Sequence, residues 1–346
     1  MLKFFRHIRQ NLLFKANLRK YLVYAVGEVF LVMIGILLAL QINNWNDARK
    51  NRQSFELLFD NIEADLISNI EESNIGINFY TEKDSLLQLV LNEKVTEEMY
   101  ERIPVFRNLI LNGWNYDLLM DNIQILIERE EQAPAKYKEV FPLVKSYKNW
   151  VANHQRNEAA VIDNVDDNHI YFSENFHWFL RNDSLSIQQS IQYFTIDSLY
   201  WNRVGRYAGL QRRLGSRVNR CRNEALVLLA KIHLIRNKIP LAKLSSFFQQ
   251  FGLVPLEQLD CEEAIAWRES FSYLKLGYFI FNSTQSPVQL IVHEENKAPK
   301  SITIPPYVNW QIRSLHEINS NHILELGTQE CEMQYRPAKN GFLLIK

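Results

Sequence analysis

Hydrophobic positions along the chain fall into distinct patterns. Residues 21–42 read YLVYAVGEVFLVMIGILLALQI, with one charge, Glu28, and one other strongly polar side chain, Gln41. At about 1.5 Å per residue, a helix of this length spans roughly 33 Å, the thickness of a bilayer core. The pattern predicts a transmembrane helix. Tyr21 and Tyr24 stand at one end and Trp45 at the other, where amphipathic rings favour the headgroup layer.

Beyond the span the period changes to three and four. Phe55, Leu58, Phe59, Ile62, Leu66 and Ile70 predict a helix continuing from the membrane segment. Residues 117–131 and 136–156 also read as helices, the second with Tyr137, Val140, Phe141, Val144 and Val151 on one face. Asn182-Asp183-Ser184 is a turn signal. Over 201–238, Tyr207, Leu210, Leu214, Val218, Cys221, Ala225, Leu228, Ile232 and Ile235 form a long seam. Residues 43–238 therefore predict a bundle of four to six helices.

After Pro240 the pattern shortens. Residues 239–271 read as a connector, helical over 240–270. Segments 274–281, 288–293, 301–304, 308–312, 323–326, 332–335 and 342–345 are short, several alternate, and turn residues separate them. They predict a small β-sandwich or barrel over 272–346, about 75 residues. The expected fold is mainly α with a C-terminal all-β module. Its expected parts are a basic segment (1–20), a transmembrane helix (21–42), a helical bundle (43–238), the connector and the β-module.

Charge sets the orientation. Lys3, Arg6, Arg9, Lys15, Arg19 and Lys20 precede the span without an acid, and the stretch after it is mixed and then acidic. The positive-inside rule puts the N-terminus in the cytoplasm and about 300 residues on the far side, periplasmic in a Gram-negative cell. The long basic segment and the lack of a small-residue cleavage site read as an uncleaved signal anchor. Phe4, Phe5, Ile8, Leu12, Leu13 and Leu18 interleave with the cations, which suits a helix lying on an anionic membrane surface or a bare topology signal.

Lys plus Arg equal Asp plus Glu at 39 each, so the expected partners do not include nucleic acid. Locally the balance is uneven. Residues 51–98 hold eleven acids against Arg52, Lys83 and Lys94, and residues 201–238 hold ten bases against Glu224. The plain explanation is that the two helices pack together with charges on their flanks. The rival is a basic patch for an anionic polymer or lipid.

An ionised Glu28 in hydrocarbon costs several kcal/mol, so the position calls for a neutral, paired or partner-facing carboxylate. Gly35 and Ala39 fall within about 20° of its helix face. Gly35-x-x-x-Ala39 is a small-xxx-small pattern. The stripe reads as a contact with a second copy or another membrane protein, with a proton-handling carboxylate as the sharper alternative and a tolerated glutamate as the plain one.

No phosphate-binding, dinucleotide-binding, serine-hydrolase or zinc-protease motif occurs, and no cofactor is expected. Asp163, Asp166, Asp167, His169, Glu174 and His177 suit a divalent cation by type, but their spacing matches no standard site. Neighbouring Tyr171, Phe172, Phe176, Trp178 and Phe179 suit a packed loop instead. Of three cysteines, Cys221 lies on the apolar seam, and Cys261 and Cys331 share the C-terminal third, where a pair is open on the oxidising side.

The stretch KYLVYAVGEVFLVMIGILLALQINNWNDARKNR resembles the signature of an uncharacterised bacterial family common in Bacteroidota. The matching residues are Gly27, Glu28, Ile34, Gly35, Ile36, Ala39, Leu40, Gln41, Asn43, Asn44, Trp45 and Asn46. The resemblance implies a single-pass envelope protein and supplies no catalytic residue. It is looser to about residue 238 and does not extend to the β-rich end. The leading expectation is a non-enzymatic interaction or scaffold protein. The alternatives are an accessory subunit docked through Glu28, and a metal-dependent binder or enzyme using the Asp163–His177 region.

Overall fold

The computed structural model describes residues 18–181, 183–264, 278–284, 286–294, 298–304, 309–310, 322–326, 333–336 and 340–345. The expectations for the first 17 residues and for Cys331 lie outside them. The chain forms two compact units, residues 1–58 with 132–134, and residues 59–131 with 135–346.

The first helix, α1, runs from Leu18 to Leu91 without a break and contains no proline. Over residues 25–42 its side chains are apolar but for Glu28 and Gln41 and nearly all exposed, among them Phe30, Leu31 and Leu37, and Trp45 beyond them is exposed as well. This is the one described helix long and apolar enough to cross a membrane, with a mean hydropathy of 2.3 in its richest window. A helix pairs its own backbone groups, as a hydrocarbon environment requires. Past the apolar stretch, Asn43 donates to Asp47 over 3.1 Å, and Asn51 donates to the carbonyl of Gln132 over 2.7 Å.

In the second unit α1 becomes amphipathic. Phe59, Ile62, Leu66 and Ile70 are fully buried, as their spacing predicts. The helix closes on Glu93 in the left-handed region (φ 56°), with Lys94 N–H bonded to Leu89 O and Glu93 N–H to Val90 O. The remaining helices are α2 (Glu97–Arg102), α3 (Asp121–Glu128), α4 (Phe141–Asn175), α5 (Ser184–Ile196), α6 (Ser198–Ile235) and α7 (Leu244–Gln250). Asp183 caps α5 by accepting from Ser186 N–H, and Asp197 caps α6 by accepting from Leu199 and Tyr200 N–H. α7 ends on Gly252 at φ 77°, a conformation without cost only for glycine.

α4 and α6 are antiparallel. Glu139 meets Lys231, Ser146 meets Glu224, Asp167 meets Arg206 and Asn168 meets Arg203. The reading of 136–156 as one helix is corrected at both ends. Residues 135–140 form a 3-10 turn and the α-helix runs on to Asn175. Asn164 and Asn168 occupy buried turns of α4, so the apolar stripe that would have marked the longer helix is interrupted.

The C-terminal region is β-rich. One sheet has the order β1-β9-β3-β6, formed by β1 (Val254–Pro255), β3 (Tyr278–Asn282), β6 (Asn309–Trp310) and β9 (Gly341–Ile345). The other has the order β2-β8-β7-β4-β5, formed by β2 (Glu257–Leu259), β4 (Val288–Glu294), β5 (Lys300–Ile304), β7 (His322–Leu326) and β8 (Met333–Arg336). β9 lies parallel to β1 and β3, and the second sheet is antiparallel throughout. Tyr278, Ile280, Leu343 and Ile345 of one sheet share a core with Leu290, Val292, Leu324 and Leu326 of the other. The opposite face of the first sheet, Phe279, Phe281 and Phe342, packs on Phe248 of α7.

All seven expected strands overlap observed ones. The helical reading of 240–270 holds for α7 and for 261–264, but residues 254–259 supply two strands instead. Two and three residues are too few to show a period. Cys261 is disulfide-bonded and Cys221 is free and buried.

Candidate functional site

Glu28, Gly35 and Ala39 lie on uninterrupted helix at separations of seven and eleven residues, close to two and three whole turns. They therefore share a face. Glu28 is partly buried and Ala39 exposed, and a Cβ added at Gly35 would meet no atom within 4 Å.

The metal-like cluster is dispersed by its helix. Asp163, Asp166, Asp167, His169 and Glu174 lie on α4, and His177 lies just past its end. His169 sits 200° around the helix from Asp167 and donates from Nε2 to Leu111 O over 2.7 Å, with its ring against Phe179. Asp167 pairs with Arg206 at 3.8 Å. Among the described residues no three His, Cys, Asp or Glu side chains converge. The expectation of a loop here is corrected to a helix as far as Asn175. Its aromatic residues do pack: Phe172 meets Phe176, Trp178, Phe179, Tyr193 and Phe194.

The two charge runs meet in part. Asp84 accepts from Arg212 Nε over 2.6 Å. Glu63 accepts from Arg236 over 2.5 Å and Lys238 over 2.6 Å, with His233 at 3.3 Å, and Asp60 takes Arg236 and Lys238 as well. Burial alone would raise the Glu63 carboxyl, but the His233, Lys238 and Arg236 donors outweigh it and hold it at about 2. The other bases of α6 go elsewhere. Arg203 lies over the Tyr171 ring, Arg217 and Arg220 over Trp150, and Lys231 reaches Glu139.

Sequence pattern missed the polar interior of the second unit. Asn69 donates to Leu119 O and to the Tyr147 hydroxyl, both over 2.9 Å, and Ser73 pairs with the Tyr116 hydroxyl. Tyr116 stands edge-on to the fully buried His154, whose two ring nitrogens have no hydrogen-bond partner among the described residues. Burial lowers that imidazole to about 4. Lys83 donates to Asn112 O over 2.7 Å between the rings of Phe79 and Tyr207, and burial lowers it to about 8. Arg222 is enclosed and, among the described residues, donates only to asparagine oxygens. The one signal available in sequence was the run Arg222-Asn223-Glu224 inside an apolar seam.

A cleft of about 750 Å³ opens where the end of α4 meets α5 and the start of α6. Phe176, Trp178 and Tyr193 give it aromatic walls, and Asn175, Gln189 and Gln192 give it amides. Of the metal-like residues, only His177 reaches it.

A model of a family of unknown function (DUF6090) matches residues 28–118, which is 91 of the 346 residues. It begins at Glu28, covers most of the apolar stretch, and continues through α2 into the loop that follows. No curated protein and no solved structure matches the chain.

Proposed function

We propose that this chain is a membrane-anchored, non-enzymatic interaction or scaffold protein whose bulk lies outside the cytoplasm. One observation carries the reading. Along α1 the side chains over residues 25–42 are apolar but for Glu28 and Gln41 and nearly all exposed, whereas from Phe59 onward an apolar face is buried and the opposite face is mainly polar. The first pattern suits lipid and the second a water-soluble fold. The cations before the span favour a cytoplasmic N-terminus. The disulfide at Cys261 suits the oxidising side of a membrane. In this reading the helices of the second unit form a bundle and its two sheets a β-sandwich, as in a bacterial envelope protein.

A second reading, an accessory subunit docked through the membrane helix, is favoured by the open backbone at Gly35 on the face that carries Glu28. A photo-crosslinker at residue 35 in intact cells tests both, with native Glu28 and with Glu28→Gln. A self-adduct or a larger adduct that depends on Glu28 supports assembly through the helix. No adduct in either form reduces the helix to a tether.

A further inference from the structure

The cleft between α4, α5 and α6 has a chemistry that membrane anchoring does not use. We propose that it binds a neutral saccharide. Its aromatic side is preorganised. The rings of Phe176 and Trp178 stack at 4.9 Å, and Tyr193 lies 4.4 Å from Phe176, so each ring holds the next in place. Trp178 remains partly exposed. Such a surface takes the C–H face of a pyranose ring.

The facing groups are polar. Gln189 and Gln192 are exposed and three residues apart on α5, hence on one face. Each amide offers two donors and an acceptor, which matches hydroxyls that both give and accept hydrogen bonds. Asn175 donates from Nδ2 to Tyr171 O over 2.8 Å and keeps Oδ1 for a ligand. Asp197 commits Oδ1 to the cap of α6, and its second oxygen has no hydrogen-bond partner among the described residues.

Charge decides against an anionic ligand. Among the described residues no lysine or arginine lines the cleft, so a phosphate or carboxylate ligand would lack one there. An acyl chain would leave the amides of Asn175, Gln189 and Gln192 and the Asp197 carboxylate without partners. The described lining offers no strand edge to pair an extended peptide. The volume lies within the range of small-ligand sites, enough for a short oligosaccharide.

The test uses the full chain in lipid nanodiscs, titrated calorimetrically with chitotetraose, with maltotetraose and with acetyl-tetraglycine amide. The expected result is that one tetrasaccharide binds more tightly than about 5 mM, and that the double variant Gln189→Ala, Gln192→Ala weakens it at least roughly tenfold. Both glutamines are exposed, so the variant should keep the native melting temperature. Trp178→Phe should remain folded and lose the saccharide-dependent change in tryptophan fluorescence. The proposal is overturned if neither tetrasaccharide reaches that affinity, if the double variant binds as the native chain does, or if only the peptide binds.

Discussion

Arg222 donates from Nη1 to Oδ1 of Asn340 over 3.2 Å, tying the middle of α6 to the residue that precedes β9. The same guanidinium reaches Asn74, Asn219 and Asn223, so its Nε and both Nη atoms are engaged by amide oxygens. Among the described residues no carboxylate pairs with it. Burial accordingly lowers its pKa to about 10, which leaves it charged at neutral pH. Asn340 sits in the left-handed region at φ 55°, which asparagine tolerates better than most residues.

This geometry predicts an order of stabilities. Asn340→Gly keeps the backbone conformation and loses the acceptor, at a cost of about 1–3 kcal/mol. Asn340→Ala also forces a Cβ residue into positive φ and should be worse. Arg222→Ala leaves four amides without their donor and opens a cavity, at about 3–5 kcal/mol. Thermal melting of the three variants checks the order.

Acid should weaken the contact between α1 and α6. The folded Glu63 carboxyl titrates at about 2, below the 4.5 of an unperturbed glutamate. The unfolded chain therefore binds its proton first as pH falls. The stabilising contribution is complete above 4.5 and is lost as pH drops toward 2. Glu63→Gln should lower the melting temperature at neutral pH and flatten its fall between about pH 5 and pH 2.5.

His154 predicts acid sensitivity in a higher window. Its folded pKa of about 4 lies below the ordinary 6.5, so protonation of the unfolded chain draws stability away as pH falls from 6.5 toward 4. The slope for one proton is at most about 1.4 kcal/mol per pH unit. His154→Phe removes two unsatisfied buried nitrogens with little change of shape. The variant should gain most over the native chain at about pH 5 and least at about pH 8, read from chemical denaturation at both.

The cysteines give a simple count. Cys221 is free and 1% exposed, and burial pushes its thiol far above the usual range. Cys261 is disulfide-bonded, and the sequence holds three cysteines. A thiol reagent should find no reactive group in the native chain, one after unfolding without reductant, and three after reduction.

Much of this fold was legible because it rests on regular periods. The apolar stretch near the N-terminus, the seam through Tyr207, Leu214, Val218 and Cys221, and the short alternating strands all showed in spacing. The paired charge runs were legible in kind, and Glu63 and Asp84 bear them out, but most bases of α6 have other partners. What stayed hidden depends on contacts between distant residues. All twelve side chains from Cys221 to Ile232 are buried, so Arg222, Asn223 and Glu224 are interior groups, although a helical pattern assigns them to the solvent face. Their partners Asn74, Ser146 and Asn340 lie far along the chain, and no local pattern announces them. The cleft was hidden for the same reason. Its lining joins the end of α4 and the residues just past it to α5 and the start of α6, and sequence singled out the aromatic segment only as the surroundings of a metal-like cluster.

The most direct test of the membrane reading is a fractionation. The full chain is expressed in a Gram-negative host, and its membranes are washed with alkaline carbonate. Protease is then added to spheroplasts. The account predicts that the chain stays with the membrane through the wash and that protease added outside removes nearly everything beyond residue 42. Release by carbonate, or full protection in intact spheroplasts, would contradict an anchored chain with its bulk outside the cytoplasm.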